Sequence, residues 1–133
     1  MAYDSALNST GGTGLSVEND TITAQDYGVL VTNVTRGSVS NDAVKAGSVA
    51  YSIINSSGLA LSKDISYTGS GIGLILNRST AITMEDSQFN GVLFGIQCLG
   101  SSQLSGYVTD LGGNSCSSEA SCGWISSSSS TCH

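Results

Sequence analysis

The feature that most constrains this chain is a repeat of fixed length. Gly47, Gly69, Gly91 and Gly113 fall 22 residues apart. Asp20, Asp42, Asp64 and Asp86 keep the same interval. Asn33, Asn55 and Asn77 form a third column, and Thr13, Thr35, Ser57, Ser79 and Ser101 a fourth. Four columns in phase, with no insertion between them, are hard to reach by chance. A fixed period of this length is the signature of a solenoid, in which each repeat is one coil stacked on the next.

The repeats cannot be helical. Val29, Leu30, Val31 and Thr32 are rich in β-branched side chains, as are Ile53 and Ile54. Glycine recurs too often for helix interiors. Apolar residues alternate with period two at Leu59, Ala60, Leu61 and at Ile82, Thr83, Met84. Short strands joined by Gly, Asn and Ser turns predict an all-β, right-handed parallel β-helix of about five coils, each of 22 residues. The regular coils are 29–50, 51–72, 73–94 and 95–116, preceded by an atypical first coil over 7–28. In this frame the first strand points Leu30, Leu74, Ile96, Ile54, Leu76 and Cys98 inward. The second points Val39, Leu59, Leu61, Ile82, Met84 and Leu104 inward. Strict columns would turn Ile82 and Met84 outward, so a local bulge is expected between Ser79 and Asp86, compensated before Gly91.

The chain has 133 residues, enough for one domain spanning 1–133 with its own core. Ten acidic residues stand against four basic ones, so nothing could neutralise a run of phosphates. Nucleic acid and acidic membrane surfaces are therefore not expected as partners. No apolar run reaches the ~18–20 residues of a membrane-spanning helix, so no membrane insertion is expected. The regular aliphatic segments argue against disorder. The first residues show neither a basic segment nor an apolar one of the kind a signal peptide carries. Such a chain is expected to be a piece of an exported protein or a virion component. Cys98, Cys116, Cys122 and Cys132 fit no common zinc spacing and read as two disulfides formed in an oxidising compartment. Four cysteines allow three pairings, and spacing does not choose among them. Residues 117–133 leave the repeat and are expected to form a disulfide-braced C-terminal cap, with Trp124 and Ile125 as a lid over the last coil. The localisation that follows is extracellular, at a cell surface or on a virion.

One phrase carries a family resemblance. Gly73-Leu74 and Gly95-Ile96 open their coils, Ser79 follows, and Asp64-Ile65, Asp86 and Asn90-Gly91 close them. This pattern resembles the parallel β-helix repeats of pectin-lyase-like proteins. The resemblance covers 7–116. It implies the right-handed parallel β-helix. For function it implies only a range, because that fold carries lyases, glycosidases, tailspikes, adhesins and inert stalks.

The candidate chemistry is limited. Asp20, Asp42, Asp64 and Asp86 would stack about 4.8 Å apart, as a row of sugar-binding carboxylates or a Ca²⁺ site, or simply as turn caps bonded to backbone N–H groups. The caps are the expected reading, so no cofactor or metal is expected, with Ca²⁺ the one ion the column would attract. Glu85 and Asp86 are the nearest carboxylate pair for glycoside hydrolysis, but neighbours on a strand face opposite sides. No catalytic residue is assigned. Asn33, Asn55 and Asn77 head glycosylation sequons, yet read more simply as hydrogen-bonded ladders. Val29, Val31, Tyr51, Ile53 and Ile75 are expected to point outward as an apolar strip, an interface. The expected function is a non-enzymatic surface solenoid, of adhesin or phage tailspike or fibre type. It would bind a glycan or a surface protein, with Asp42, Asp64, Asp86 and Glu85 as binding residues. A homotrimer is one assembly that would bury the strip. The alternative is a fragment of a carbohydrate-active enzyme, a polysaccharide lyase or glycoside hydrolase.

Overall fold

The computed structural model describes residues 5–68, 71–103, 107–118, 120–122 and 130–132. Strands β1 (Ser5–Thr10), β2 (Thr13–Glu18) and β3 (Thr21–Thr23) make the first coil. The second holds β4 (Tyr27–Thr32), β5 (Thr35–Ser40) and β6 (Ala43–Ala46). The third holds β7 (Val49–Ile54), β8 (Ser57–Ser62) and β9 (Ile65–Thr68), and the fourth β10 (Ile72–Asn77), β11 (Ile82–Glu85) and β12 (Gln88–Asn90). The fifth holds β13 (Phe94–Leu99), a 3-10 turn (Gly100–Gln103), β14 (Val108–Asp110) and β15 (Ser115–Cys116). Each strand pairs in parallel with its equivalent one coil on. Sheet I is thus β1-β4-β7-β10-β13, sheet II β2-β5-β8-β11-β14, and sheet III β3-β6-β9-β12-β15. The chain is the parallel β-solenoid its period predicts. Among the described residues no helix is long and apolar enough to cross a membrane.

The turns explain the asparagine column. Gly11, Asn33, Asn55, Arg78 and Gly100 stack at positive φ, between 50° and 78°. Asn19, Asn41, Lys63 and Asp86 form a second such column, at φ between 50° and 59°. Asparagine tolerates the left-handed region because its short polar side chain bonds locally. Asn33 and Asn55 therefore mark corners between strands, whereas Asn77 ends β10 and Arg78 takes that corner.

The frame shift lies elsewhere than expected. Val29 pairs with Tyr51 at an interval of 22, but Tyr51 pairs with Leu74 at 23, and Leu74 with Ile96 again at 22. Ala60 also pairs with Thr83, and Ile65 with Gln88, at 23. One extra residue therefore enters between Thr68 and Ile72, not between Ser79 and Asp86. It is never compensated. It carries Ile82 and Met84 inward, where both are fully buried.

This shift corrects the phase of sheet I. Leu74, Leu76, Ile96 and Cys98 are in the core as expected, but they share rows with Val29, Tyr51, Val31 and Ile53, which are buried too. Val29, Val31, Tyr51 and Ile53 are thus not an outward strip. Leu30 and Ile54, expected inside, are half-buried on the outer face with Ile75. Sheet II follows expectation, with Val39, Leu59, Leu61, Ile82 and Met84 buried; Leu104 falls outside the described residues. Sheet III adds Val44, Ser66 and Phe89 to the core. Tyr51 and Phe89 meet edge to face, with centroids 6.2 Å apart.

The cysteines resolve as Cys98–Cys122 and Cys116–Cys132. Ala120 bridges Ile96, so Cys122 lies over Cys98 in one core row. Ser130 bonds the N–H of Asn114, which sets Cys132 over Cys116 in another. Two core rows thus end in a disulfide to a partial sixth coil, which covers part of an otherwise open core. Trp124 and Ile125 lie outside the described residues.

Candidate functional site

The column of Asp20, Asp42, Asp64 and Asp86 is the first candidate site. Asp20 N–H donates to Asp42 Oδ1 at 2.8 Å, and Asp42 N–H to Asp64 Oδ1 at 3.1 Å. Asp64 N–H donates to Ser87 Oγ, Ser87 N–H to Asn114 Oδ1, and Asn114 N–H to Ser130 Oγ, at 3.1–3.2 Å. The column is therefore Asp20, Asp42, Asp64, Ser87, Asn114 and Ser130. From Asp42 onward each side chain accepts an N–H from the coil before it, and Ser87 Oγ also donates to the Glu85 carbonyl of its own coil. The extra residue puts Ser87 where Asp86 was expected. A parallel ladder runs from Val34 N–H to Ser56, from Ser56 N–H to Ser79 and from Ser79 N–H to Ser102, each time onto Oγ. Ser79 belongs with Ser56 and Ser102, not with Ser57 and Ser101.

Asp42 and Asp64 are buried, at 2% and 0% exposure, and offer no carboxylate to a glycan. Each keeps one oxygen, Oδ2, without a hydrogen-bond partner. Burial pushes the Asp64 carboxyl up to about 8; the Asp42 N–H opposes the rise and the Asp42 charge adds to it. Burial raises Asp42 as well, against the Asp20 N–H. The Tyr51 hydroxyl donates to the Asp42 carbonyl at 3.3 Å, and its own ionisation is pushed far up by burial and both carboxylates. Among the described residues no group of three or more His, Cys, Asp or Glu side chains is placed to hold a metal. Glu85, at the end of β11, and Asp86, in the following corner, are exposed.

The outer faces carry two concave features instead. On sheet III, Lys45, Tyr67 and Asn90 occupy one outward row. With Thr68, Gly91, Val92, Ser117 and Ser118 they line a groove of about 430 Å³. Tyr67 is 51% exposed. Thr68 Oγ1 donates to the Asn90 carbonyl, Ser66 Oγ accepts the Asn90 N–H at 3.0 Å, and the Ser117 and Ser118 hydroxyls both donate to the Gly91 carbonyl. These bonds fix the rim. The groove thus offers a rigid aromatic ring beside an ammonium, an amide and hydroxyls, as small-molecule sites do. Sequence reasoning missed it. Lys45 and Tyr67 do fall 22 apart, but Asn90 is 23 residues beyond Tyr67.

On sheet I the outward row reads Leu30, Ser52, Ile75 and Gln97. Ser52 is only 3% exposed because larger neighbours overhang it. Tyr27, Leu30, Ile54, Ile75, Asn77 and Leu99 wall a recess of about 450 Å³ around it. The apolar strip therefore exists, but of the expected members only Ile75 belongs to it.

In comparisons with family models, curated proteins and solved structures, nothing matches the chain. Its class rests on its architecture: a disulfide-bonded parallel β-solenoid. The two disulfides suit a non-reducing environment.

Proposed function

We propose that the chain is a non-enzymatic binding module of a cell surface or a virion, a solenoid that holds a glycan against sheet III. One observation carries this reading: the half-exposed Tyr67 ring set in a groove with Lys45 and Asn90. The C–H face of a sugar ring would stack on the tyrosine, while its hydroxyls reach the amide and the ammonium. A solenoid suits the task because its stacked coils hold such side chains on a rigid sheet. The placement of the carboxylates supports a role without catalysis, since Asp42 and Asp64 are sealed inside and Glu85 and Asp86 line neither the sheet III groove nor the sheet I recess. The topology also suits the resemblance to pectin-lyase-like repeats, in their adhesin or tailspike forms. A glycan array probed with the chain and with Tyr67→Ala tests the reading. Hits lost in the variant, with its circular dichroism unchanged, support it. Hits unaffected by the variant, or none at all, sink it. Polysaccharide cleavage abolished by Glu85→Gln or Asp86→Ala would favour an enzyme instead.

A further inference from the structure

We infer that Asn33 is an attachment site for an N-linked glycan, at the corner between sheets I and II. Five Asn-x-Ser/Thr tripeptides occur in the chain, headed by Asn8, Asn19, Asn33, Asn55 and Asn77. Such a tripeptide is the acceptor for N-linked sugar in exported proteins. The two disulfides suit the oxidising compartments through which those proteins pass. The structure sorts the five by what else their side chains do.

Between β4 and β5, Val34 is buried while Asn33 and Thr35 on either side of it are exposed. The fold thus anchors the middle residue and leaves both recognition residues in solvent. Among the described residues no hydrogen bond engages the Asn33 amide or the Thr35 hydroxyl. Nor does the backbone demand asparagine. Asn33 has φ 57°, and glycine fills the same corner in the first and fifth coils, as Gly11 and Gly100. The other tripeptides differ. The Thr10 hydroxyl donates to Asn8 Oδ1 at 3.2 Å, and Asn41 Nδ2 donates to Asn19 Oδ1 at 2.6 Å. Ser57, which completes the tripeptide of Asn55, is half-buried. Ser79, which completes that of Asn77, is fully buried, accepts the Ser56 N–H and donates to the Ile53 carbonyl. Its hydroxyl holds the fold together and is closed to a transferase once the chain has folded.

The step is a glycosyl transfer from a lipid-pyrophosphate-linked oligosaccharide. Asn33 Nδ2 forms a bond to C1 of the first sugar, the bond from C1 to the pyrophosphate oxygen breaks, the amide gives up one proton, and the lipid pyrophosphate leaves. The corner is separate from the Tyr67 groove on sheet III, so a glycan carried here and a glycan recognised there stand or fall independently.

The full chain, secreted from cultured eukaryotic cells behind a signal sequence, tests this. Peptide mass spectrometry is run before and after peptide:N-glycosidase F, which turns a modified asparagine into aspartate. The peptide carrying Asn33 should be modified in most molecules, and more fully than the peptide carrying Asn77. Asn33→Gly and Thr35→Ala should each remove that glycan with circular dichroism unchanged, since glycine already fills this corner elsewhere and the Thr35 side chain is exposed. An unmodified Asn33 in the secreted chain overturns the inference, as does a glycan that persists on Asn33 in Thr35→Ala. Occupancy at Asn77 equal to or above that at Asn33 also overturns it, because exposure and bonding would then not govern the site.

Discussion

Asp64→Asn should stabilise the chain at alkaline pH and flatten its pH dependence. The Asp64 side chain is fully buried, accepts the Asp42 N–H at 3.1 Å through Oδ1, and leaves Oδ2 unpartnered. Asp42 Oδ2 is unpartnered as well. One proton between the two carboxyls would serve both oxygens. The Asp64 carboxyl is raised from 3.8 to about 8, so the folded chain binds a proton that the unfolded chain releases. Stability from this group is then complete below about pH 4 and declines as pH rises towards 8. At about 1.4 kcal/mol per pH unit, the loss over these four units has a ceiling of about 6 kcal/mol. Asparagine keeps the Oδ1 acceptor and adds a neutral donor for Asp42. Asn114 already does this in the same ladder, accepting the Ser87 N–H and donating to the Met84 carbonyl and Asp110 Oδ1. Recovering a third of the ceiling is about 2 kcal/mol, or about 6 °C in Tm for a chain of this size. The assay is thermal melting followed by circular dichroism from pH 4 to 9. The two melting curves should converge at low pH and separate at high pH. An infrared carbonyl band from a protonated carboxyl should be present in the wild type at pH 6 and absent in the variant. A wild-type Tm that rises from pH 5 to 8, together with a lower Tm for the variant at pH 8.5, would refute the reasoning, because Asp64 would then be a needed anion.

Asp86→Gly should change stability by no more than about 0.5 kcal/mol, since Asp86 is exposed in a left-handed corner outside the ladder; a larger loss in urea titration would restore it to the Asp column. Ser79→Val should cost about 1–3 kcal/mol, because the buried Ser56 N–H loses its acceptor, and its amide should exchange faster by NMR. Gly73→Ala should lower the urea midpoint by an amount equivalent to about 1–3 kcal/mol, since the new methyl would sit 2.7 Å from the Gly95 carbonyl oxygen and from Ser66 Oγ. The double variant Cys116→Ser with Cys132→Ser opens a bridge of 16 residues' separation and should cost about 3 kcal/mol in the same titration.

The period, the strand content and the parallel stacking were all legible, because a solenoid repeats its turn residues and its strand chemistry together. The phase of each strand was legible only where the two faces differ in polarity. In β8 and β11 the buried residues Leu59, Leu61, Ile82 and Met84 alternate with Ala60, Ser62 and Thr83, and the inward set was read correctly. In sheet I both sets are apolar: Val29 and Val31 against Leu30, Ile53 against Ile54, Leu74 and Leu76 against Ile75. Periodicity then says nothing about direction. What decides it is packing, visible in the small row Gly28, Ala50, Gly73 and Gly95, where sheet I closes on sheet III; a Cβ on Gly28 would lie 2.1 Å from Val44 Cγ1. The extra residue between Thr68 and Ile72 removed the remaining cue, by moving Leu74 into the row of Tyr51 and Asn90 out of step with Tyr67. The same composition that hides the phase of sheet I also gives it an apolar outer face. A strand whose outer residues faced only water would have alternated, and its direction would have been plain from the sequence. The ambiguity therefore has one physical cause: apolar side chains on both faces of sheet I.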